Sequence, residues 1–491
     1  MGKYESPFNR KTEEYSNKLD KYYFDNDIQS TKMLIKEMEQ NIESFDELSR
    51  APIYYSLGTA YGDILEREYA EETQKKCILC LNTAIGILEN SNIIKKKYLP
   101  YIDSLKMSTY VNYGNALDNI GRISSSIEWY KKALEINQNN KMAIGNISLA
   151  YAKYAYYLYD YSHRDFFNKA AYEGLEYIFQ LPATADDSIN ANALNKFKNC
   201  MDSYDKEYVR YLKKLYYNPD FVNYKTDEEN YRTWASKNIL FLNPLNDLYN
   251  DNRTAYDIIH MPTMVVKKQK LFTYHGLYNQ LKEEYIYLRF LFFEATQKGK
   301  EIHYADRDNL LLITNDLPLY SIRIEKMKTV FRQLYSLLDK IAYFINSYYE
   351  LKIDERKVNY KSIWNAKLKE HLIGNPMLRT LYWASKEIYS KDDFSTNFMA
   401  EEIDQTRNQL EHKYIKIFSD EETYKMNKIK DYLVKYLTEQ KLEIMTLFLM
   451  KLVRECIINL SLAINIEEIK KNEKGKYPSI MGQEYMDIFK V

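Results

Sequence analysis

The chain has 491 residues, of which only 13 are Gly and 10 are Pro, far below the roughly 12% that these two turn-formers together usually reach. So few turn residues argue against all-β architectures and Rossmann-type folds, while a charged fraction of 28% suits long helices with solvated faces. Lys plus Arg and Asp plus Glu are both 69, which excludes a nucleic-acid binder that relies on its overall field; any such partner must meet a local basic surface.

In chain order, the first pattern is Tyr54, Leu57, Gly58 and Tyr61, a helical face with a small residue where another helix must come close. Cys77 and Cys80 follow as C-x-x-C, but Leu79, Leu81 and Ile85 around them read as an apolar helix face. Without a second pair, buried helix cysteines are expected rather than a zinc or redox site. Four cysteines in all, with Cys200 and Cys456, are too few for a disulfide framework.

The clearest unit runs Tyr110-Val-Asn-Tyr-Gly114-Asn-Ala-Leu117, then Gly121-Arg122, Ser126-Ile127, Trp129-Tyr130 and Ala133-Leu134. It resembles a tetratricopeptide repeat, with Gly114 at the close approach of two helices and Tyr130 and Ala133 as the large and small residues of the second. One 34-residue period later come Ile144, Ser148 and Tyr151; the Tyr54 copy stands 56 residues earlier, which implies an insertion or extra helix. Three units are about the minimum for a stable solenoid. An irregular array of tetratricopeptide type is expected over residues 1–235, with a concave surface for a protein or peptide partner.

Residues 236–491 read as a second domain. Asn238 to Leu248 contains Asn243-Pro244-Leu245-Asn246-Asp247, a turn after an apolar segment. Tyr285 to Ala295 and Leu442 to Ile464 are the most apolar stretches, broken by Arg289 in the first and by Glu443, Lys451, Arg454 and Glu455 in the second. They read as core helices, not membrane spans. With no signal-peptide pattern, the expectation is a cytoplasmic protein without a membrane partner. Met327 to Tyr348, Met377 to Tyr389, Phe398 to Phe418, Lys428 to Thr438 and Leu442 to Ile469 each show helical spacing, so the fold class expected is all-α, a helical solenoid followed by a helical bundle.

Within residues 398–418 lies Arg407-Asn408-Gln409-Leu410-Glu411-His412-Lys413-Tyr414. At about 100° per residue, Met399, Ile403, Thr406, Leu410, Tyr414 and Ile417 form the core stripe, and Asn408 and His412 lie about 160° from Leu410 on either side. His412 is therefore placed off the core. The same spacing also fits a solvated surface histidine, with Arg407 and Glu411 as an ordinary i, i+4 ion pair.

Arg-Asn-x-x-x-His on such a helix resembles the motif of the HEPN superfamily (higher eukaryotes and prokaryotes nucleotide-binding), all-helical nucleases. The repeat array and Leu242-Asn-Pro-Leu-Asn-Asp-Leu248 are similar to a HEPN subfamily with N-terminal tetratricopeptide repeats. The resemblance implies a metal-independent RNA endonuclease, a toxin or anti-phage defence effector, in which two chains pair their motif helices as a homodimer. Arg407 would stabilise the phosphate, His412 would move a proton, and Asn408 would orient either one. Asp404 is a candidate partner of the Arg407 guanidinium. Tyr414 is a candidate regulatory residue, because the matching tyrosine in some HEPN toxins receives a nucleotide. Asp339 and Asn346, beside Tyr335 and Ala342, could line the same cleft, but a structural network is the preferred reading for them. No cofactor or metal set is expected, since the other five histidines lack ligand spacing. The alternative is a non-catalytic adaptor that uses the repeats for binding and the bundle for dimerisation.

Overall fold

A computed structural model describes residues 6–90, 96–182, 191–216, 225–266, 268–297, 299, 302–311, 318–389, 396–421 and 433–473. Seventeen α-helices occupy most of them: α1 (Arg10–Phe24), α2 (Ile28–Asn41), α3 (Glu47–Leu65), α4 (Glu71–Asn90), α5 (Leu99–Asn119), α6 (Ile123–Ile136), α7 (Lys141–Tyr157), α8 (Tyr161–Gln180), α9 (Ala191–Asp202), α10 (Lys206–Lys214), α11 (Thr226–Lys237), α12 (Lys268–Thr296), α13 (Ile322–Tyr348), α14 (Ala366–Gly374), α15 (Pro376–Ser385), α16 (Ala400–His412) and α17 (Glu439–Glu473). Among the described residues a single pair of five-residue strands, β1 (Tyr414–Phe418) and β2 (Val434–Thr438), interrupts this all-α architecture. The chain divides into two compact units, 1–156 with 162–217 and 383–404, and 157–161 with 218–382 and 405–491.

The first unit is built from helix pairs. In α5 and α6 a Cβ added to Gly114 would lie 2.5 Å from the Tyr130 ring, so only glycine lets the two helices approach this closely. Tyr130 and Ala133 are fully buried, and the Tyr130 hydroxyl donates to Asn115 Oδ1 at 2.8 Å. Ile144, Ser148 and Tyr151 are buried on α7, and Leu57, Gly58 and Tyr61 on α3. No additional α-helix separates the first two copies among the described residues. Part of their extra spacing sits in the 20-residue α4, against 14 residues in α6, and in the first turns of the long α5. Cys77 is buried on α4 with its Sγ 3.2 Å from the Gly58 carbonyl, and burial pushes its thiol up to about 12. Such a thiol is a packing residue rather than a reactive one.

Residues 383–404 also belong to this unit, although they lie far along the chain. Arg122 and Glu387, 3% and 4% exposed, form an ion pair. The Phe398 amide donates to Asn82 Oδ1 at 3.1 Å, and the Phe398 ring rests where a Cβ on Gly86 would come within 2.8 Å.

The second unit is a bundle of long helices. Along α12, Leu271, Tyr274, Tyr278, Leu281, Tyr285, Leu288, Phe292 and Ala295 are buried at alternating steps of three and four, a seam that keeps one face on its neighbours. Met327, Phe331, Leu334, Leu338, Ile341 and Ile345 do the same on α13. Two of the phenols in this core donate to backbone, Tyr278 to the Ile457 carbonyl and Tyr285 to the Leu240 carbonyl, both at 3.0 Å.

The charges that break the apolar stretches of α12 and α17 hold the 238–261 segment. Arg289 makes two 2.7 Å bonds to Asp257 and one of 3.0 Å to the Leu240 carbonyl. Although burial works the other way, Arg289 keeps the Asp257 carboxyl below its usual range. Arg454 donates to the carbonyls of Phe241 and Asn243 and pairs with Asp247 at 3.0 Å. Asn243 caps the short 3-10 turn Pro244–Asp247, and Asn246 ties it back to the Ser236 and Tyr249 carbonyls. The Asn-Pro-Leu-Asn-Asp run is thus a buried, fully bonded loop.

Candidate active site at the end of the motif helix

The motif helix α16 opens with Glu401 and Glu402 in its first turn and closes with His412 in its last, a charge order that suits the helix dipole. Ile403 and Thr406 are buried as the spacing predicts, whereas Leu410, expected at the centre of the core stripe, is only half-buried. Arg407 and Asn408 are half-buried at the edge, while Glu411 and His412 are exposed.

Arg407 Nη1 donates to Asn408 Oδ1 at 3.2 Å, and its guanidinium carbon stands 5.7 Å from the centre of the Tyr335 ring on α13. This is a cation–π arrangement. Its Nε is enclosed and donates to nothing. Among the described residues Arg407 makes no ion pair. The guanidinium is therefore not fixed by Asp404, which is buried, nor by Glu411. Both expectations give way to the Tyr335 face and Asn408.

The polar stripe on α13 serves two different purposes. Asn346 exchanges two bonds with the backbone of Ile353, both at 3.1 Å, which makes it a structural clasp. Asp339 accepts from the Tyr360 amide at 2.8 Å and also feels the charge of Arg407. Burial raises its carboxyl above the usual range, against the pull of that amide and that arginine.

Beyond His412 the structure departs from the expected helix over 398–418. The chain turns into β1, which pairs in parallel with β2, Tyr414 opposite Val434 and Phe418 opposite Thr438. In Tyr414-Ile-Lys-Ile-Phe the β-branched Ile415 and Ile417 alternate with Tyr414, Lys416 and Phe418, a strand pattern that wins over a continued helix. Tyr414 is accordingly not on a helical core stripe: it is 39% exposed, and its hydroxyl lies 2.8 Å from that of Tyr320. The expected helix from Lys428 to Thr438 ends in strand β2 at 434–438, and its part at 428–432 lies outside the described residues.

One residue of this neighbourhood escapes sequence reading. Arg332 stands three residues before Tyr335 on α13, half-buried, with an enclosed Nε that has no hydrogen-bond partner. A single arginine at the margin of an amphipathic helix looks like a solvated edge. Its only signal is the shared face of 332, 335 and 339 at i, i+3 and i+7. Among the described residues no three His, Cys, Asp or Glu side chains gather as a metal-ion site.

Residues 265–467, from just before α12 into α17, match the LA2681-like HEPN family, and residues 108–140, across the end of α5 and all of α6, match a tetratricopeptide repeat. The chain therefore carries an LA2681-like HEPN domain behind a tetratricopeptide region. No curated protein and no solved structure matches it.

Proposed function

We propose that this LA2681-like HEPN domain is an endoribonuclease that cuts RNA without a metal ion, as a toxin or anti-phage effector. The observation that carries the reading is an exposed His412 five residues along one helix from a half-buried Arg407 that makes no ion pair among the described residues. RNA brings its own nucleophile. Its 2′-oxygen attacks the adjacent phosphorus, the bond from phosphorus to the 5′-oxygen breaks, and the 5′-hydroxyl leaves with a proton. Histidine suits that proton transfer near neutral pH, and arginine suits the charge that builds on the phosphate. Asn408 holds the guanidinium from one side. Tyr414 keeps an exposed phenol two residues beyond His412, open to modification by a partner.

The test is cleavage in EDTA. Single-stranded RNA should be cut, leaving a 2′,3′-cyclic phosphate, and a strand with 2′-deoxyribose at the cut site should resist. A strict need for Mg²⁺ would sink the reading.

The motif of one chain offers one histidine and one arginine, whereas the attack needs both a base and an acid. We therefore propose a homodimer across the exposed face of α16, with two His412 in one cleft. Light scattering should give twice the monomer mass, and a monomer that retains cleavage would rule this arrangement out. The zero net charge favours the second reading, a repeat adaptor whose bundle only dimerises. That protein would leave RNA intact under every condition.

A further inference from the structure

We infer that Arg332 supplies, from the same chain, a second cation to the phosphate bound at Arg407, so that α13 and α16 together form a single-stranded RNA backbone site. This deepens the nuclease reading and rests on it for the identity of the ligand.

Arg332, Tyr335 and Asp339 share one face of α13 at i, i+3 and i+7. Arg407 reaches this face from α16, with its guanidinium over the Tyr335 ring. Only about 4.5 Å of helix rise separates Arg332 from Tyr335, less than the length of an arginine side chain. Side chains three apart on a helix are neighbours, so the Arg407 guanidinium over the Tyr335 ring stands over a residue adjacent to Arg332.

Both arginines are half-buried, and both have an enclosed Nε with no hydrogen-bond partner. Among the described residues neither makes an ion pair. Asp339, the acid on this face, has an oxygen occupied by the Tyr360 amide. Enclosed N–H groups without acceptors are unusual, and each calls for a reason. Two neighbouring guanidinium groups also repel one another unless an anion lies between them. A phosphodiester answers the second condition, because its oxygens accept in pairs from the terminal nitrogens of arginine forks; the enclosed Nε atoms stay out of its reach. Arg407 stands five residues before His412 on α16, so a phosphate held here lies against the helix that ends in His412.

The probe is a fluorescein-labelled, fully 2′-O-methylated RNA strand, which cannot be cut, followed by anisotropy across a potassium chloride series. Wild type should bind with strong salt dependence. Arg332→Ala should weaken binding about tenfold and lower the slope of log Kd against log salt by about 0.7, the share of one phosphate contact on a single strand. Arg332→Lys should keep the slope and lose part of the affinity, since lysine keeps the charge but not the fork. With cleavable RNA, Arg332→Ala should act mainly through KM.

Unchanged affinity and slope in folded Arg332→Ala would overturn the proposal, as would a wild type that binds no strand at any salt. If wild type binds and Arg332→Ala does not, yet RNA is never cut, the nuclease reading fails and the site stands. If RNA is cut equally well by both, the reverse holds. Equal binding of a DNA strand of the same sequence is compatible with a backbone site, because the 2′-position belongs to catalysis.

Discussion

His412→Ala is expected to lower RNA cleavage by a factor of about 10² or more, the usual scale for a general acid or base, with Arg407→Ala losing a similar factor as a charge-stabilising group. The two should differ in what survives. His412 is exposed and makes no contact that holds α16 in place, so His412→Ala should melt like wild type and bind uncleavable RNA normally. Arg407 covers the Tyr335 ring and bonds Asn408, so its loss should also weaken binding and loosen the α13–α16 contact by a modest amount. Arg407→Lys keeps the charge but gives up the fork and the flat stacking surface, and should recover little activity. Cleavage by folded His412→Ala at the wild-type rate would remove the histidine from the mechanism and the nuclease reading with it.

Asp247→Ala and Arg454→Ala should be the most destabilising single changes in the bundle, at about 3–5 kcal/mol each, the cost of leaving one member of a buried ion pair alone. Asp247 is 1% exposed and Arg454 2%, so neither stranded charge can reach water. The double variant should not recover fully. Arg454 also donates to the carbonyls of Phe241 and Asn243, and those acceptors remain buried whether or not Asp247 is present. Urea titrations followed by circular dichroism measure this directly as a fall in the midpoint. A loss under about 1 kcal/mol for Arg454→Ala would mean that the loop is held by Asn246 and the surrounding packing alone.

The sequence was most readable where one period of burial dominates. Helical spacing placed α13, α15 and α17, and the Gly114, Tyr130 and Ala133 pattern located a genuine close approach of α5 and α6. The motif helix is legible at its core, but its apolar spacing runs on past His412, where the helix ends. Leu410, Tyr414 and Ile417 continue a helical stripe just as well as Tyr414 to Phe418 alternate for a strand, and the deciding partner, Val434 to Thr438, lies sixteen residues beyond Phe418. Short apolar runs carry that ambiguity by nature. Arg454 was read only as a charge that spoils a membrane span; its true role needs the loop 207 residues earlier, a distance no local pattern encodes. The same holds for Arg122 and Glu387, 265 residues apart.

That last pair bears on how the molecule can be dissected. A fragment cut at residue 235, the natural place to separate repeats from bundle on the sequence, would contain Arg122 but not Glu387, and Gly86 but not the Phe398 ring that fills the space above it. It would take the Glu387 carboxylate away from a buried guanidinium and expose an apolar notch to water. A repeat region expressed that way should aggregate or melt early through a fault of the cut, and its behaviour would say little about the intact array. The working boundary is not a point in the chain at all: residues 383–404 must travel with the repeats, as a grafted segment or a peptide added in trans.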